Sequence, residues 1–335
     1  MITNDSPAIL VQDLHKTYRD GLIFRRSLDA LKGITLRVDQ GEIFGLLGPN
    51  GAGKTTFVKL LLGIVRKTKG VAFMLGRPVG VRAGRKRVGY LPENLRIPRH
   101  HNANSALDLF GQLSGLSGRE VKSRRGAILE SVGLGDRARD SVKKYSKGMV
   151  QRLGLAIALL HDPELIFMDE PTDGLDPLGR TQVREVLLEL KAQGRTIFLN
   201  SHLLQEVEMV CDRVAILDRG DLLGVGTVEE LVPQHIKTIQ LELVVVGGDA
   251  VVQTVLHDAG RNHLASAAEG GPAYVLDRLS DNQFAIRIKL MDQTDVDRLV
   301  DELRRHGVSI ISMVRHRISL EEAFLTVLAQ AKGRL

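Results

Sequence analysis

Gly48-Pro49-Asn50-Gly51-Ala52-Gly53-Lys54-Thr55-Thr56 follows the apolar run Ile43-Phe44-Gly45-Leu46-Leu47 and precedes Phe57-Val58-Lys59-Leu60-Leu61-Leu62. That order reads as a buried strand, a glycine-rich turn and a helix. Glycines let successive backbone N–H groups converge on phosphate oxygens with no Cβ in the way, and the helix N-terminus adds the positive end of its dipole. Lys54 brings a mobile cation to the β- and γ-phosphates, and the Thr55 hydroxyl is a hard oxygen suited to Mg²⁺. The stretch predicts a phosphate cradle on a strand–turn–helix unit, and with it an α/β fold.

Further along, Leu165-Ile166-Phe167-Met168 is a second fully apolar strand, and it ends in Asp169-Glu170. A carboxylate at the end of a buried strand beside such a cradle can hold Mg²⁺ through water, a role that falls to Asp169. Glu170, one residue on, can orient or deprotonate an attacking water. A third element is Tyr145-Ser146-Lys147-Gly148-Met149-Val150-Gln151-Arg152. Ser146 and Gly148 open a helix and offer a hydroxyl, a backbone N–H and a dipole to a phosphate. One cradle already surrounds its nucleotide, so a second makes sense if it caps the γ-phosphate bound by another copy of the domain.

The surrounding pattern supplies an architecture. Ala8–Val38 looks β-rich, with Leu10–Leu14 and Ile34–Val38 alternating at strand period and Tyr18–Asp29 between them as a basic loop. A hairpin-like stretch runs to Gly76, and Asn94–Lys144 turns helical. Helices over Val150–Leu160 and Leu178–Gln193 alternate with strands Leu165–Met168 and Thr196–Leu199, as in a mostly parallel sheet. A turn-rich stretch at Gly220–Gly226 and a capping box, Thr227 to Glu230, close this domain. Beyond Ile236 the order is strand (Thr238–Val246), helix (Ala250–Ala259), an undefined middle, strand (Gln283–Leu290), helix (Asp295–His306) and strand (Val308–Val314). The chain ends in an amphipathic helix opened by Ser319-Leu320-Glu321-Glu322, whose apolar stripe by default docks on its own core.

The three motifs together resemble the ATP-binding subunits of ABC transporters, over residues 8–232. Gly48–Thr55 matches Walker A, Leu165–Glu170 matches Walker B, and Tyr145–Met149 looks like the signature motif. Gly174-Leu175-Asp176 looks like the D-loop. The resemblance implies that His202, in Asn200-Ser201-His202, contacts the γ-phosphate, that Asp176 communicates across a dimer, and that Tyr18 lies against adenine. Two departures stand out. The signature reads Tyr-Ser-Lys-Gly-Met where Leu-Ser-Gly-Gly-Gln is commonest, and Glu93 stands in Gly89-Tyr90-Leu91-Pro92-Glu93 where the family has a glutamine. A carboxylate there can meet Mg²⁺ or its waters but cannot donate as an amide does. With the tail Ile318–Leu325, Glu93 looks like the exporter branch.

The expectation is a P-loop ABC-type nucleotide-binding domain over 8–235, with a mixed sheet core, a β-rich lobe and a helical subdomain at 94–144. A small C-terminal α+β domain follows over 236–335. ATP and Mg²⁺ would be held by Gly48, Pro49, Asn50, Gly51, Ala52, Gly53, Lys54, Thr55, Thr56, Tyr18, Ser146, Gly148 and Asp176, with Thr55, Asp169 and Glu93 at the metal. Glu170, His202 and Lys54 would carry catalysis. The partners implied are a second copy and transmembrane permease subunits, at the cytoplasmic face of the membrane, with no direct nucleic-acid contact. A soluble ABC-type ATPase acting on ribosomes or DNA is the alternative. Against it, only one cassette is present, and Lys54 and Ser146 are 92 positions apart (146 minus 54) with no sustained heptads between them. An ATP-sensing scaffold without turnover is disfavoured by the intact Glu170 and His202.

Bulk properties agree. The 335 residues exceed one ordinary domain, and 43% hydrophobic with 26% charged residues is a globular composition. No apolar run approaches the roughly 18 to 20 residues of a membrane helix, and Met1–Asp5 has no signal-peptide character. One cysteine, Cys211, excludes an internal disulfide and is assigned to packing. The net charge of +6 is uneven: Arg77–Lys147 holds 16 Lys/Arg against 6 Asp/Glu, a net of +10 that leaves −4 elsewhere. Such a lobe is either a solvated face or a surface for anionic headgroups or an acidic partner. Nucleic acid is the weaker reading, since few aromatics are interleaved there for base stacking.

Overall fold

A computed structural model describes residues 6–20, 26–231, 239–262, 274–290, 292–316 and 319–333. It divides into two compact units, Met1–Leu231 with Phe324–Leu335, and Val232–Ala323. Phe324–Leu335 therefore groups with the first unit, whereas the sequence alone keeps 236–335 together.

In the first unit, β1 (Ile9–Asp20) and β2 (Arg26–Val38) pair antiparallel from Ile9↔Val38 to Asp20↔Arg26. Of the expected loop Tyr18–Asp29, the ends Tyr18–Asp20 and Arg26–Asp29 are strand and 21–25 lie outside the described residues; Thr17 Oγ1 donates to Asp29 Oδ1 across the pair at 2.8 Å. β3 (Ile43–Leu47) is buried at every position and runs through the glycine turn into α1 (Lys54–Leu61). β4 (Lys69–Met74) and β5 (Arg77–Pro78) meet through Leu75 and Gly76, whose φ values of 47° and 74° are those of a type I′ turn. They extend the hairpin into a four-stranded sheet in the order β2-β1-β4-β5.

After the short α2 (Arg82–Arg85), β6 (Val88–Leu91) starts the second half of the main sheet. The helical segment holds α3 (Ala103–Leu113) and α4 (Gly118–Ser131), and α5 (Lys147–Leu159) follows it. α3 and α4 pack closely at Gly111, where a Cβ would come within 2.5 Å of Val121 Cγ2. Then come β7 (Leu165–Asp169), α6 (Pro177–Ala192), β8 (Thr196–Asn200), α7 (Leu204–Val210), β9 (Arg213–Asp218), β10 (Asp221–Gly226) and α8 (Val228–Leu231). The six strands are ordered β10-β9-β3-β8-β7-β6, all parallel except β10. Most of Gly220–Gly226, expected as turn, is β10; the turn itself is Arg219-Gly220, with φ of 47° and 86°. The Thr227 to Glu230 capping box forms as expected, its two bonds at 2.9 and 3.2 Å.

β3, β7 and β8 are buried along their whole length, the signature of a parallel sheet covered on both faces. Phe198 sits at the centre of an aromatic cluster, with Phe44, Phe57 and Phe167 at 5.8, 5.9 and 5.2 Å between ring centroids. Removing such a ring would cost about 3–5 kcal/mol. Because these strands are parallel, their carboxyl ends share one edge of the sheet, where α/β folds place ligands.

The second unit runs β11 (Ile239–Val246), α9 (Asp249–Asn262), β12 (Tyr274–Ser280), β13 (Gln283–Leu290), α10 (Gln293–Arg305) and β14 (Ser309–His316). Its antiparallel sheet is ordered β12-β13-β11-β14, the ferredoxin-like split βαβ arrangement. Sequence reading found every element but β12, and Thr238 lies outside the described residues. Leu243, Val245, Leu256, Ile286, Leu299 and Leu303 form the core of this unit. The last helix, α11 (Leu320–Lys332), begins at the expected box, where Ser319 and Glu322 exchange bonds of 3.0 and 3.2 Å. Leu320, Ala323 and Val327 of its stripe are buried. Among the described residues, no helix is long and apolar enough to cross a membrane.

Candidate functional site

The turn after β3 leaves no room for side chains at two of its glycines. Gly48 has φ +155°, and a Cβ on it would lie 2.2 Å from the Leu217 carbonyl oxygen at the end of β9. Gly53, at φ +106°, would meet the Ala30 carbonyl at 2.5 Å. Gly53 is also the N-cap of α1, and no side chain caps this helix, so its first-turn N–H groups are left for another acceptor. Lys54 is buried, and its Nζ donates to the carbonyls of Gly48 at 2.6 Å and Pro49 at 3.3 Å. Burial lowers the Lys54 pKa, while the charges of Glu170 and Asp169 work the other way. A buried ammonium satisfied only by carbonyls, at an uncapped helix start, is a host for polyphosphate. Tyr18, Pro49, Asn50, Gly51, Ala52, Thr55 and Thr56 line the same cleft, with Asp29, Lys32 and Arg219. Lys16 Nζ lies 4.6 Å from the centroid of the Tyr18 ring.

Two strands away, β7 and β8 pair in a register that sets Asp169 opposite Asn200. The residues that follow each strand therefore leave the sheet at the same level. Asp169 is buried and accepts a bond from Asn200 Nδ2. Burial raises its pKa; the Asn200 bond opposes this, and the charges of Glu93 and Glu170 add to the rise. Tyr90, pushed up to about 12 chiefly by burial, also feels Asp169 and Glu93. Three carboxylates thus crowd one end of the sheet with Lys54 as counter-charge.

Glu170 has φ +51°, an uncommon backbone for a residue with a side chain. Its N–H donates to the Asn200 carbonyl at 2.8 Å, which holds the backbone in that state. Its Oε2 lies 2.8 Å from His202 Nδ1 and accepts from Ser201 Oγ and the His202 N–H, both at 3.3 Å. Gln151 Nε2 reaches back from α5 to the Glu170 carbonyl at 3.4 Å. Asn200, Ser201 and Gln151 were not singled out as site residues by the sequence. A polar residue ending an all-apolar strand was the available sign for Asn200, and Gln151 is buried on a helix of small and apolar residues.

Ser146 is the N-cap of α5, its Oγ accepting from the Met149 N–H at 3.2 Å. Gly148 is packed so that a Cβ would meet Leu175 Cδ2 at 3.3 Å. Lys147, the departure in the signature, crosses to Asp173 with an ion pair of 2.8 Å. Its stem covers Gly174, whose φ is +65° and where a Cβ would come within 2.2 Å of Lys147 Nζ. Asp176 caps α6, accepting from the Gly179 N–H at 2.9 Å. Tyr145–Met149 contributes nothing to the cleft around Lys54. The structure thus brings Lys54, Asp169 and Glu170 together with His202, while Ser146 and Gly148 open α5, whose Gln151 reaches the Glu170 carbonyl.

Among the described residues no three His, Cys, Asp or Glu side chains converge on one metal position. Mg²⁺ suits such a site, since it takes one or two protein oxygens and completes its shell with substrate phosphate and water. The hard oxygens of Thr55 and Asp169 fit that ion. Cys211 is half-buried, its Sγ 3.1 Å from where a Cβ on Gly45 would stand, and burial pushes its thiol pKa up, in keeping with packing.

Residues 31–173 match the protein-family model described as ABC transporter. The chain is 42% identical over 320 residues to an uncharacterized ABC transporter ATP-binding protein of Synechocystis sp., covering 95% of this chain and 84% of the relative. It is 34% identical over 327 residues, 95% of each chain, to the daunorubicin resistance ATP-binding protein DrrA3 of Streptomyces coeruleorubidus. Among solved structures, the ATP-binding subunit of an ABC transporter superposes with a TM-score of 0.59 at 31% identity, covering 67% of this chain and 91% of that one.

Proposed function

The chain belongs to the ABC transporters as an ATP-hydrolysing, ATP-binding subunit, and on that premise we propose that two copies close on two ATP molecules to drive export. The observation that carries this reading is the cluster at the ends of β7 and β8, where Glu170 is gripped by Ser201 and His202 beside the Lys54 turn. ATP lies with its phosphates along Gly48–Thr56, its base toward Tyr18, and Lys54 moves from the Gly48 and Pro49 carbonyls to the β- and γ-phosphates. Thr55, Asp169 and Glu93 are the residues that would hold Mg²⁺, Asp169 and Glu93 through water, and the bound ion would supply charge neutralisation to the phosphoryl group.

Glu170 orients the attacking water and takes its proton; His202 fixes the carboxylate in place and contacts the γ-phosphate. Ser146 and Gly148 supply their hydroxyl and N–H groups to the nucleotide held by the other copy. That neither residue lines the Lys54 cleft of its own chain supports that division of labour. Asp176 communicates across the same interface. Because the triphosphate bridges both copies and the diphosphate does not, closure is favoured by ATP and lost on hydrolysis, which can rock separate permease subunits at the cytoplasmic face of the membrane. The export direction is supported by the daunorubicin resistance relative, matched along nearly its whole length.

The test is Glu170→Gln. Phosphate release should fall by about 10²–10⁴-fold while ATP titration stays near wild type, and sedimentation should show an ATP-dependent dimer. Undiminished phosphate release would remove Glu170 from this role.

A further inference from the structure

The parallel pairing of β7 with β8 sets Phe167 beside Phe198 and Asp169 beside Asn200. Residues two apart on a strand share a face of the sheet. Phe198 stacks on Phe57 of α1 at 5.9 Å, so the face that carries Phe198 and Asn200 is the one α1 covers. Asp169 and Asn200 therefore continue an aromatic row toward the start of α1, where Lys54 and Thr55 lie. On its other side Asn200 is paired in register with Leu46 of β3, an apolar residue that is 1% exposed.

Asn200 is 2% exposed, and its Nδ2 donates to Asp169 Oδ1. Among the described residues it is the one hydrogen-bond donor to the Asp169 side chain, while Glu93 and Glu170 press on that carboxylate with like charge. The Asn200 Oδ1, on the other edge of the planar amide, is buried and has no donor among the described residues. A buried acceptor left without a donor costs free energy. The strand end does not require the amide: the Glu170 N–H already ties to the Asn200 carbonyl at 2.8 Å, and the neighbouring Leu46 shows that an apolar side chain suits this row. An amide with one edge on Asp169 and the other unmet points to what Asp169 does.

We propose that Asn200 is a positioning residue for Mg²⁺: its Nδ2 aims the Asp169 carboxylate, and its Oδ1 accepts from a water that hydrates the ion. Mg²⁺ demands near-octahedral geometry and keeps several of its waters, so a carboxylate that reaches it through water must be held in direction. Outer-shell hydrogen bonds do this at metal sites generally. An uncharged amide is suited to both tasks, since it donates to a carboxylate and accepts from a water at once. An aspartate at 200 would have nothing to donate, and a lysine would have nothing with which to accept. The inference rests on the reading that Asp169 acts at Mg²⁺, and the experiment separates failure of the one from failure of the other.

The experiment takes the full chain carrying Glu170→Gln, so that ATP is not consumed, with protein in excess over ATP and Mn²⁺ standing in for Mg²⁺. Free Mn²⁺ is read by electron paramagnetic resonance. Adding Asn200→Leu should weaken Mn²⁺ binding to the ATP complex by about tenfold, while ATP affinity in EDTA stays within about threefold of the parent. Asn200→Ser, whose hydroxyl both donates and accepts, should recover part of that loss. With Glu170 intact, the turnover lost in Asn200→Leu should return as Mg²⁺ is raised, a rescue that a packing defect does not allow. If melting shows Asn200→Leu unfolded, Asn200→Ala takes the same measurements. Mn²⁺ affinity within about threefold of the parent, or a loss of ATP affinity in EDTA as large as the loss of Mn²⁺ affinity, overturns the inference alone. Asp169→Asn binding Mn²⁺ as tightly as the parent overturns the reading of Asp169, and the inference with it.

Discussion

Glu170 combines a positive φ of 51° with a carboxylate held by His202, Ser201 and a backbone N–H. A residue with a Cβ loses about 1 kcal/mol in that region relative to glycine. Glu170→Gly should therefore be as inactive as Glu170→Gln yet about 1 kcal/mol more stable than it, read by urea denaturation of the two variants side by side. Equal stability would mean that the backbone relaxes at no cost. The glycines of the turn make a second, graded comparison. Gly48→Ala drives a Cβ to 2.2 Å from Leu217 O and should abolish nucleotide binding. Gly51→Ala has nothing within 4 Å of its Cβ and only its φ of +82° against it. It should bind ATP with a loss of stability of about 1 kcal/mol, measured by titration and thermal melting. The residue types of this site were legible in the sequence because phosphate binding demands glycine, lysine and a hydroxyl at fixed spacing. The strain at Glu170 and the grip of Ser201 were not, since φ and side-chain contacts across strands leave no mark on composition.

Among the elements, the buried parallel strands were the easiest to read, because an unbroken apolar run as short as Leu165–Met168 suits a strand covered on both faces. The apolar strands β6 and β9 were passed over, and the other elements that escaped have sequences that mimic a loop. The outer halves of β1 and β2 are rich in polar residues because they are a two-stranded arm, and β10 carries glycines at 224 and 226 within a strand. β12 is an edge strand with most of its side chains exposed, and Asp277 and Arg278 break its alternation. The joints between elements bring a pH dependence. Arg87, ahead of β6, and Glu164, ahead of β7, form a bidentate pair, and its hydrogen bonds hold the Glu164 pKa below the usual carboxylate range. A depressed acid stabilises the fold above its unfolded pKa near 4.3, and that contribution is lost as pH falls through the folded value. Both side chains are more than a third exposed, at 41% and 44%, so solvent screening limits the gain to at most about 1 kcal/mol. Glu164→Gln should therefore be slightly less stable than wild type at pH 7, and the difference should close only as pH falls through the lowered folded pKa of Glu164, by urea unfolding over an acid pH series.

At the scale of the molecule, the nucleotide should stabilise more than one chain at a time. If two copies close on ATP, the melting temperature of Glu170→Gln with saturating ATP and Mg²⁺ should rise with protein concentration, whereas with ADP it should not. A concentration-independent shift would mean that each protomer binds alone. The sheet order carries a last implication, for synthesis. The acid, hydroxyl and imidazole of the site lie within Leu165–His202, on neighbouring strands whose pairing is local, whereas β3 with its phosphate turn must pair with β8 across 154 positions, Ile43 to Ile197. Local pairing forms sooner than distant pairing. On a chain emerging from the ribosome, the half of the centre that handles the proton can take shape as soon as β8 is made, and the half that grips the phosphates, though translated first, must wait for it.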